Sequence, residues 1–278
     1  MFPQLSTQSS VPDHDGDVDP HHSTTVTSDR NSSSNDARSG SRLPTVSLVI
    51  PTLNEALNLP LVLAAVPECV TEIIVVDGRS TDATIAVALS WPRVRVEREP
   101  RAGKGFALSA GFAAASCDIV VMMDADGSMD PAEIPSFVRA LVAGADVAKG
   151  SRRMHGGDSS DLTPLRSFGN AALTTTVNLL FGSRYTDLCY GYMAFWRDVV
   201  PMIDPGCPGF EVETLINIRA QQAQLEVAEV PSQESNRLNG TSNLSVWRDG
   251  CRIGRAILKG RTTRAHRPAT NSSASMAV

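Results

Sequence analysis

The sequence predicts an α/β fold: a mostly parallel sheet wound with helices on both faces, in a single domain. Three observations carry this. Short β-branched and aliphatic runs alternate with segments of helical character from residue 44 onward, the pattern that builds right-handed βαβ units. The runs are apolar at consecutive positions, as in strands covered on both faces, rather than at every second position. In such sheets ligands sit beyond the carboxyl ends of the strands, and there the sequence places acidic side chains, with Asp77 closing the second run and Asp124 the fourth.

The elements follow in order. TVSLVIP (45–51) and EIIVVDG (72–78) read as the first two strands. Between them Asn58 and Pro60 offer a cap and first turn for a helix through LVLAAV (61–66). Ser80, Thr81 and Asp82 supply capping side chains for a second helix, RVRVE (93–97) a third strand, GKGFALSAGFAAAS (103–116) a third helix and DIVVMMD (118–124) a fourth strand. Downstream come a helix over 131–142, a strand around ADVAKGS (145–151), a helix over 165–181, a strand at YMAFW (192–196), a helix over 211–222 and the strand LEVAEVP (225–231). No internal repeat is evident.

The ends differ in composition. Residues 1–43 are rich in Ser, Asp, His and Asn and poor in aliphatic side chains, so they bury too little apolar surface to offset the entropy of ordering and are expected to be a disordered tail. DHDGDVDPHH (13–22) within it reads as a solvated tract, not a metal site. Residues 251–278 contain no acid and several arginines, yet the whole chain carries a formal charge of −5, which argues against a nucleic-acid binder. Five scattered cysteines without a C-x-x-C pair fit a reducing cytosol. No apolar run reaches the length of a membrane span, and no signal peptide opens the chain.

The stretch VVMMDADGSMDP (120–131) drives a strand into clustered carboxylates. Asp-x-Asp at a strand end supplies two hard oxygen donors on a tight turn, suited to Mg²⁺ or Mn²⁺ carrying a diphosphate. The pair also has a plain structural reading, strand termination, and Asp130 before Pro131 reads as a helix cap. An EF-hand loop is a poor alternative, since Gly127 stands fourth rather than sixth. A dinucleotide fold, or a nucleotidyltransferase with a glycine-rich loop, is disfavoured because the turn PTLNEALN contains no glycine. His155 is alone in the ordered part, which argues against zinc or a histidine-based triad.

Eight segments in order, IPTLNEALNLP, IIVVDGRSTDAT, RAGKGFALSAGF, VVMMDADGSMDP, KGSRR, DLCYGYMAFW, GFEVETLINIRA and EVPSQESNRLNGTSNL, resemble the inverting family-2 glycosyltransferases of the GT-A fold. The resemblance spans roughly residues 45–258 and is nearest to the branch typified by dolichol-phosphate mannosyltransferase and related polyprenyl-phosphate sugar transferases. It implies that Pro51, Thr52, Asn54 and Glu55 line a nucleotide pocket, that Asp77 contacts the base, and that Asp124 and Asp126 hold nucleotide and metal. A cation bridging Asp126 and the diphosphate would stabilise the leaving group. Lys104, in the Gly-Lys-Gly turn, either adds positive charge near phosphate or is solvated. Two departures stand out: Ser128 occupies the place of a ligating Gln, and Asn243 that of a Lys in the pattern begun by Arg237, Gly240 and Ser242.

The resemblance further implies that Asp187, in TDLCYGY, orients the acceptor or acts as base for a hydroxyl; the plain alternative is a structural carboxylate anchoring a loop. Arg152 and Arg237, with Ser242, are candidates for gripping an acceptor phosphate. Residues 244–259 read as a basic amphipathic helix appended to a domain over 44–243, with 260–278 a second disordered tail. Its expected apolar face is Leu244, Trp247, Cys251, Gly254 and Leu258, and its basic stripe Arg248, Arg252, Arg255 and Lys259. Such a helix binds a membrane surface or packs on the core with a solvated basic face.

The leading expectation is therefore a cytoplasmic transferase, free or peripheral on the inner face of the membrane, moving a hexose from a UDP- or GDP-sugar to a polyprenyl phosphate with Mg²⁺ or Mn²⁺. The same fold acting on a soluble hydroxyl acceptor is the enzymatic alternative. A non-catalytic nucleotide-sugar-binding module at a membrane is the other.

Overall fold

A computed structural model describes residue 38 and residues 40–241 and 246–261. In chain order the elements are β1 (Val46–Thr52), α1 (Leu59–Ala64), β2 (Glu72–Asp77), α2 (Thr84–Leu89), β3 (Val94–Arg98), α3 (Lys104–Ala114) and β4 (Ile119–Met122). A 3₁₀ turn (Pro131–Glu133) leads into α4 (Ile134–Val142), β5 (Val147–Ser151), β6 (Asp158–Ser159), α5 (Pro164–Phe181) and β7 (Met193–Trp196). The chain ends through α6 (Val200–Ile203), α7 (Glu211–Gln222), β8 (Val227–Pro231), β9 (Gln233–Glu234) and α8 (Val246–Gly260).

Seven strands form one sheet in the order β3-β2-β1-β4-β7-β5-β8. β1 to β4 run parallel, as alternation with helices requires. β7 enters antiparallel between β4 and β5, and β8 pairs parallel with β5. The central strands are buried almost throughout, whereas the edge strand β3 is partly exposed, which accounts for the arginines and glutamates of RVRVE. β6 and β9, two residues each, were not legible beforehand; they pair beside the site and hold the loop after β8.

Capping departs from expectation in two places, since α2 starts after Ala83 with no side chain of Ser80 or Thr81 capping it and only Asp82 accepting from the Thr84 N–H at 3.0 Å, and α1 is uncapped as well. Asp130 caps as predicted, accepting from the Ala132 N–H at 2.9 Å. The Asn58 side chain does not cap α1; it donates to Glu55 at 2.7 Å and to the Asn239 carbonyl at 3.1 Å, tying two distant loops together.

Both chain ends differ in part from the sequence reading. Arg38 and Arg42 belong to the predicted tail, yet Arg38 pairs with Asp146 (2.9 Å) and Asp198 (2.6 Å) and Arg42 with Asp118 (2.7 Å). The predicted disorder of 1–37 and 262–278 lies outside the described residues. The terminal helix forms despite Gly250 and Gly254, but it buries another face. Asp249, Ile253, Ile257 and Gly260 are buried, while Cys251 and Leu258 are exposed. Ile253 and Ile257 join Val177 of α5, Ile218 of α7, Tyr185 and Leu188 in a satellite core. The basic stripe was read correctly and is exposed. Of the predicted apolar face, Cys251 and Leu258 give way to Ile253 and Ile257, two isoleucines four residues apart, while Leu244 and the Trp247 side chain lie outside what is described.

Candidate active site

The carboxyl ends of β1, β2 and β4 converge on one edge of the sheet, and a cavity of about 410 Å³ opens there. The loop after β1 is held by side chains from the loop after β2. Asn54, at φ 59°, donates its N–H to Ser80 Oγ (2.9 Å) and accepts from the Thr81 N–H (2.8 Å). The Glu55 N–H donates to Thr84 Oγ1 (2.8 Å) and the Ala56 N–H to Asp82 (3.1 Å). Asp77 accepts from the N–H groups of Arg79 and Ser80 at 3.1 Å. The local Ser-Thr-Asp sequence thus serves mainly to fix a neighbouring loop.

Asp124 and Asp126 lie in the turn after β4. Lys104, at the start of α3, places Nζ 2.6 Å from Asp124 and 2.6 Å from Glu213 in the first turn of α7. Asp126 accepts from the Ser128 N–H (3.0 Å) and Oγ (2.7 Å) and faces Arg237 at 3.2 Å. Arg237 also binds Glu55 and donates to the Asn239 carbonyl at 2.7 Å. The loop carrying Arg237 lies directly along the acidic turn: the Leu238 N–H donates to the Asp126 carbonyl (3.1 Å) and the Ser235 N–H to that of Ser128 (2.8 Å). Gly127, at φ 78°, makes this approach possible, since a Cβ there would lie 2.4 Å from a Leu238 methyl.

Opposite lies a buried polar layer. Arg152 binds Asp187 through Nε (2.7 Å) and Nη2 (2.9 Å), and Glu234 through Nη1 (3.0 Å), while its guanidinium sits 4.7 Å from the Tyr190 ring centre. Asn170 of α5 also donates to Asp187, at 2.7 Å. Lys149 is fully buried behind them, with Nζ on the Gly150 carbonyl at 2.9 Å.

This geometry sorts the predicted residues. Pro51, Thr52, Glu55, Lys104, Asp124, Asp126, Arg152 and Arg237 line one cavity. Asn54 and Asp77 do not; Asn54 is exposed, and the Asp77 carboxylate is buried against its own turn rather than presented to a base. Asp187 is fully buried and spent on Arg152 and Asn170, so it cannot reach an acceptor as a base. Arg152 and Arg237 do not stand as open phosphate grips, because carboxylates and carbonyls already occupy their guanidinium nitrogens. Ser242 and Asn243 lie outside the described residues. Ser128, at the place of a ligating Gln, is turned onto Asp126 instead.

Residues 47–214, from β1 into the first turn of α7, match glycosyl transferase family 2. The chain belongs to that family. Polyprenol monophosphomannose synthase of Mycolicibacterium smegmatis is 35% identical to this glycosyltransferase over 226 residues, covering 76% of this chain and 84% of the relative. Undecaprenyl-phosphate mannosyltransferase of Micrococcus luteus is 32% identical over 225 residues, 76% of this chain and 90% of the other. Among solved structures, glucosyl-3-phosphoglycerate synthase from Mycobacterium tuberculosis, in complex with Mn²⁺, UDP and glucosyl-3-phosphoglycerate, superposes with a TM-score of 0.61 and 27% identity, covering 82% of this chain and 83% of that one. The architecture is the GT-A type that the sequence predicted.

The electrostatics of the glycosyltransferase's cavity follow from burial. Burial raises the Asp124 pKa, Asp126 and Glu213 raise it further, and Lys104 opposes them; the carboxyl is pushed up to about 6. Burial lowers the Lys104 pKa, but Asp124 and Glu213 outweigh it and the ammonium is held well above its ordinary value. Asp187 is the reverse case. Burial works to raise it, while Arg152 and then Lys149 overcome that and hold it down to about 2.

Asp124 and Asp126 are the residues that fit a divalent cation. Lys104 and Arg237 now stand against them as counter-charges, which shows that the pocket demands positive charge at that place. No third His, Cys, Asp or Glu joins the pair among the described residues. Mg²⁺ and Mn²⁺ suit that count, being commonly held by one or two carboxylates together with substrate phosphates and water.

Sequence reasoning missed Glu213, Glu234 and Lys149. Each lies inside a quoted motif, but a glutamate on a helix or a lysine in a strand carries no mark of burial until the packing is known.

Proposed function

We propose that this glycosyltransferase moves a hexose from a nucleoside-diphosphate sugar, with inversion and with Mg²⁺ or Mn²⁺, onto a hydroxyl of a small soluble acid. The carrying observation is the convergence of Asp124, Asp126, Lys104 and Arg237 in one cavity at the sheet edge. Asp124 and Asp126 hold the cation, which supplies Lewis-acid stabilisation of the departing diphosphate. Lys104 and Arg237 then turn from the carboxylates toward phosphate oxygens, which carry the same sign of charge. Pro51, Thr52 and Glu55 border the nucleotide.

For the acceptor, the balance of charge favours a hydroxyl. Seven carboxylates line the cavity against four cations, Lys104, Arg152, Arg166 and Arg237. An attacking hydroxyl must lose its proton, and a carboxylate of that excess can take it, whereas an already ionised phosphate needs no such base. With Asp187 out of reach, Glu234 is our candidate for that proton: it lines the cavity and its carboxylate is steered by Arg152 and Ser159. The solved relative bound to glucosyl-3-phosphoglycerate supports an acceptor of this class.

A polyprenyl phosphate is the second reading. Leu162, Leu165, Leu173 and Ile253 give the far end of the cavity an apolar lining, and the two mannosyltransferase relatives carry lipid phosphates in their names. Incubating the full chain with UDP- and GDP-hexoses, Mn²⁺ or a chelator, and either 3-phosphoglycerate or a short polyprenyl phosphate separates the two. Chelator-sensitive sugar transfer to the soluble acid supports the first reading; transfer to lipid phosphate alone replaces it with the second, and no transfer to either sinks both.

A further inference from the structure

α8 is a partition. Asp249, Gly250 and Ile253 face the catalytic cavity, while Arg248, Arg252, Arg255 and Lys259 line a second cleft of about 760 Å³ on the helix's other side. α7 supplies the opposite wall with Arg219, so five cations meet there against one lining carboxylate, Glu211. Glu211 is buried, lacks a hydrogen-bond partner on Oε2 and lies 3.8 Å from Arg252, which it holds in place without cancelling the cluster. Arg248 lies 3.7 Å from Asp249, and Arg219 is tethered to the Asp204 carbonyl. The floor is apolar, with Met202, Leu215 and Ile218.

This concentration of positive charge belongs to a chain of net charge −5 and is therefore local. A large apolar side chain stands exposed on the helix that walls it. Leu258 adjoins Lys259 on α8 and is 66% exposed. Cations over an apolar floor beside an unburied aliphatic group match an anionic lipid, whose phosphate pairs with arginine while the neighbouring side chain enters the acyl boundary. A soluble phosphate would use the cations and leave Leu258 without purpose.

We propose that the cleft between α7 and α8 holds the phosphate headgroup of an anionic phospholipid and docks the enzyme on a membrane surface through the basic face of α8. This goes beyond the transfer reaction and does not depend on which acceptor is used. Because the same helix walls the catalytic cavity, docking also fixes Ile253 and Gly250 along its lining.

The test is cosedimentation of the full chain with vesicles of phosphatidylcholine alone or mixed with phosphatidylglycerol. We expect partitioning onto the anionic vesicles only, reduced on the order of 100-fold in the R252Q/R255Q/K259Q variant, at about fivefold per cation; Glu211 loses Arg252 in that variant, so binding is measured below its lowered melting temperature. Leu258→Ser should weaken vesicle binding while leaving any retention of inorganic phosphate untouched. Equal binding to both vesicle types, no binding, or an unaffected triple variant overturns the proposal. Phosphate retention with vesicle binding indifferent to Leu258→Ser marks a soluble-anion site and overturns it too.

Discussion

Arg237 and Asp126, 111 residues apart in sequence, face each other at 3.2 Å, and the same guanidinium grips Glu55. One side chain thus bridges the loop after β1 and the turn after β4, neutralising the acidic edge until a ligand arrives. Arg237→Ala should leave the fold intact and raise the donor KM by about 10- to 100-fold, the loss of a charge-assisted pair. Arg237→Lys should rescue poorly, because an ammonium cannot span two carboxylates in fork geometry. A donor titration in which both variants match the parent refutes this role.

Asp126→Ala should lower kcat by at least about 10²-fold, in line with losing a principal electrostatic element of a transition state. Calorimetry with Mn²⁺ and nucleoside diphosphate is the direct check. Parent-like metal uptake by the variant would remove Asp126 from the ligand set.

Lys104→Met leaves Asp124 and Glu213 confronting each other without their shared cation. Breaking a buried charge pair from one side costs about 3–5 kcal/mol, so melting should fall sharply. Added Mn²⁺ should restore more of the melting temperature in the variant than in the parent, since the metal replaces the missing charge. Equal shifts in both would show that Lys104 and the cation do not share a site.

Asp187 has a folded pKa of about 2 against an ordinary value near 4. A depressed carboxyl pKa stabilises the native state fully above the unfolded value, and that contribution fades as pH falls through the folded one, here from about 4 toward 2. The contribution is on the order of 2 kcal/mol. Asp187→Asn should flatten the stability profile across that window and lower stability at neutral pH. Parent-like acid sensitivity in urea melts of the variant would contradict the assignment.

Gly191 lies against the Lys104–Glu213 pair, where an added Cβ would stand 2.5 Å from a Glu213 carboxylate oxygen and 3.2 Å from Lys104 Nζ. Gly191→Ala removes no charged group, yet it should lower kcat/KM by about 10-fold or more by displacing that pair, a misplacement effect. Unchanged kinetics would mean that the pair tolerates displacement.

The order of strands and helices was legible because consecutive apolar runs and helix starts are local properties, and each predicted major element appears within a few residues of its place. The Asp-x-Asp turn was legible for the same reason, since two carboxylates at a strand end advertise themselves by spacing. Which face of α8 is buried could not be read, because Ile253 and Ile257 win only when Val177 and Ile218 are there to meet them. The antiparallel entry of β7 was equally hidden, as four apolar residues carry no sign of direction.

The sequence by itself determined where carboxylates and cations stand along the chain, and so which edge of the sheet could bind a diphosphate. Tertiary structure alone decided their partners: it turned Asp187 inward to hold Arg152, aimed Asp77 at its own turn, and set Glu213 beside Lys104. The physical reason is that charge and periodicity are written residue by residue, whereas desolvation and pairing depend on groups a hundred positions away.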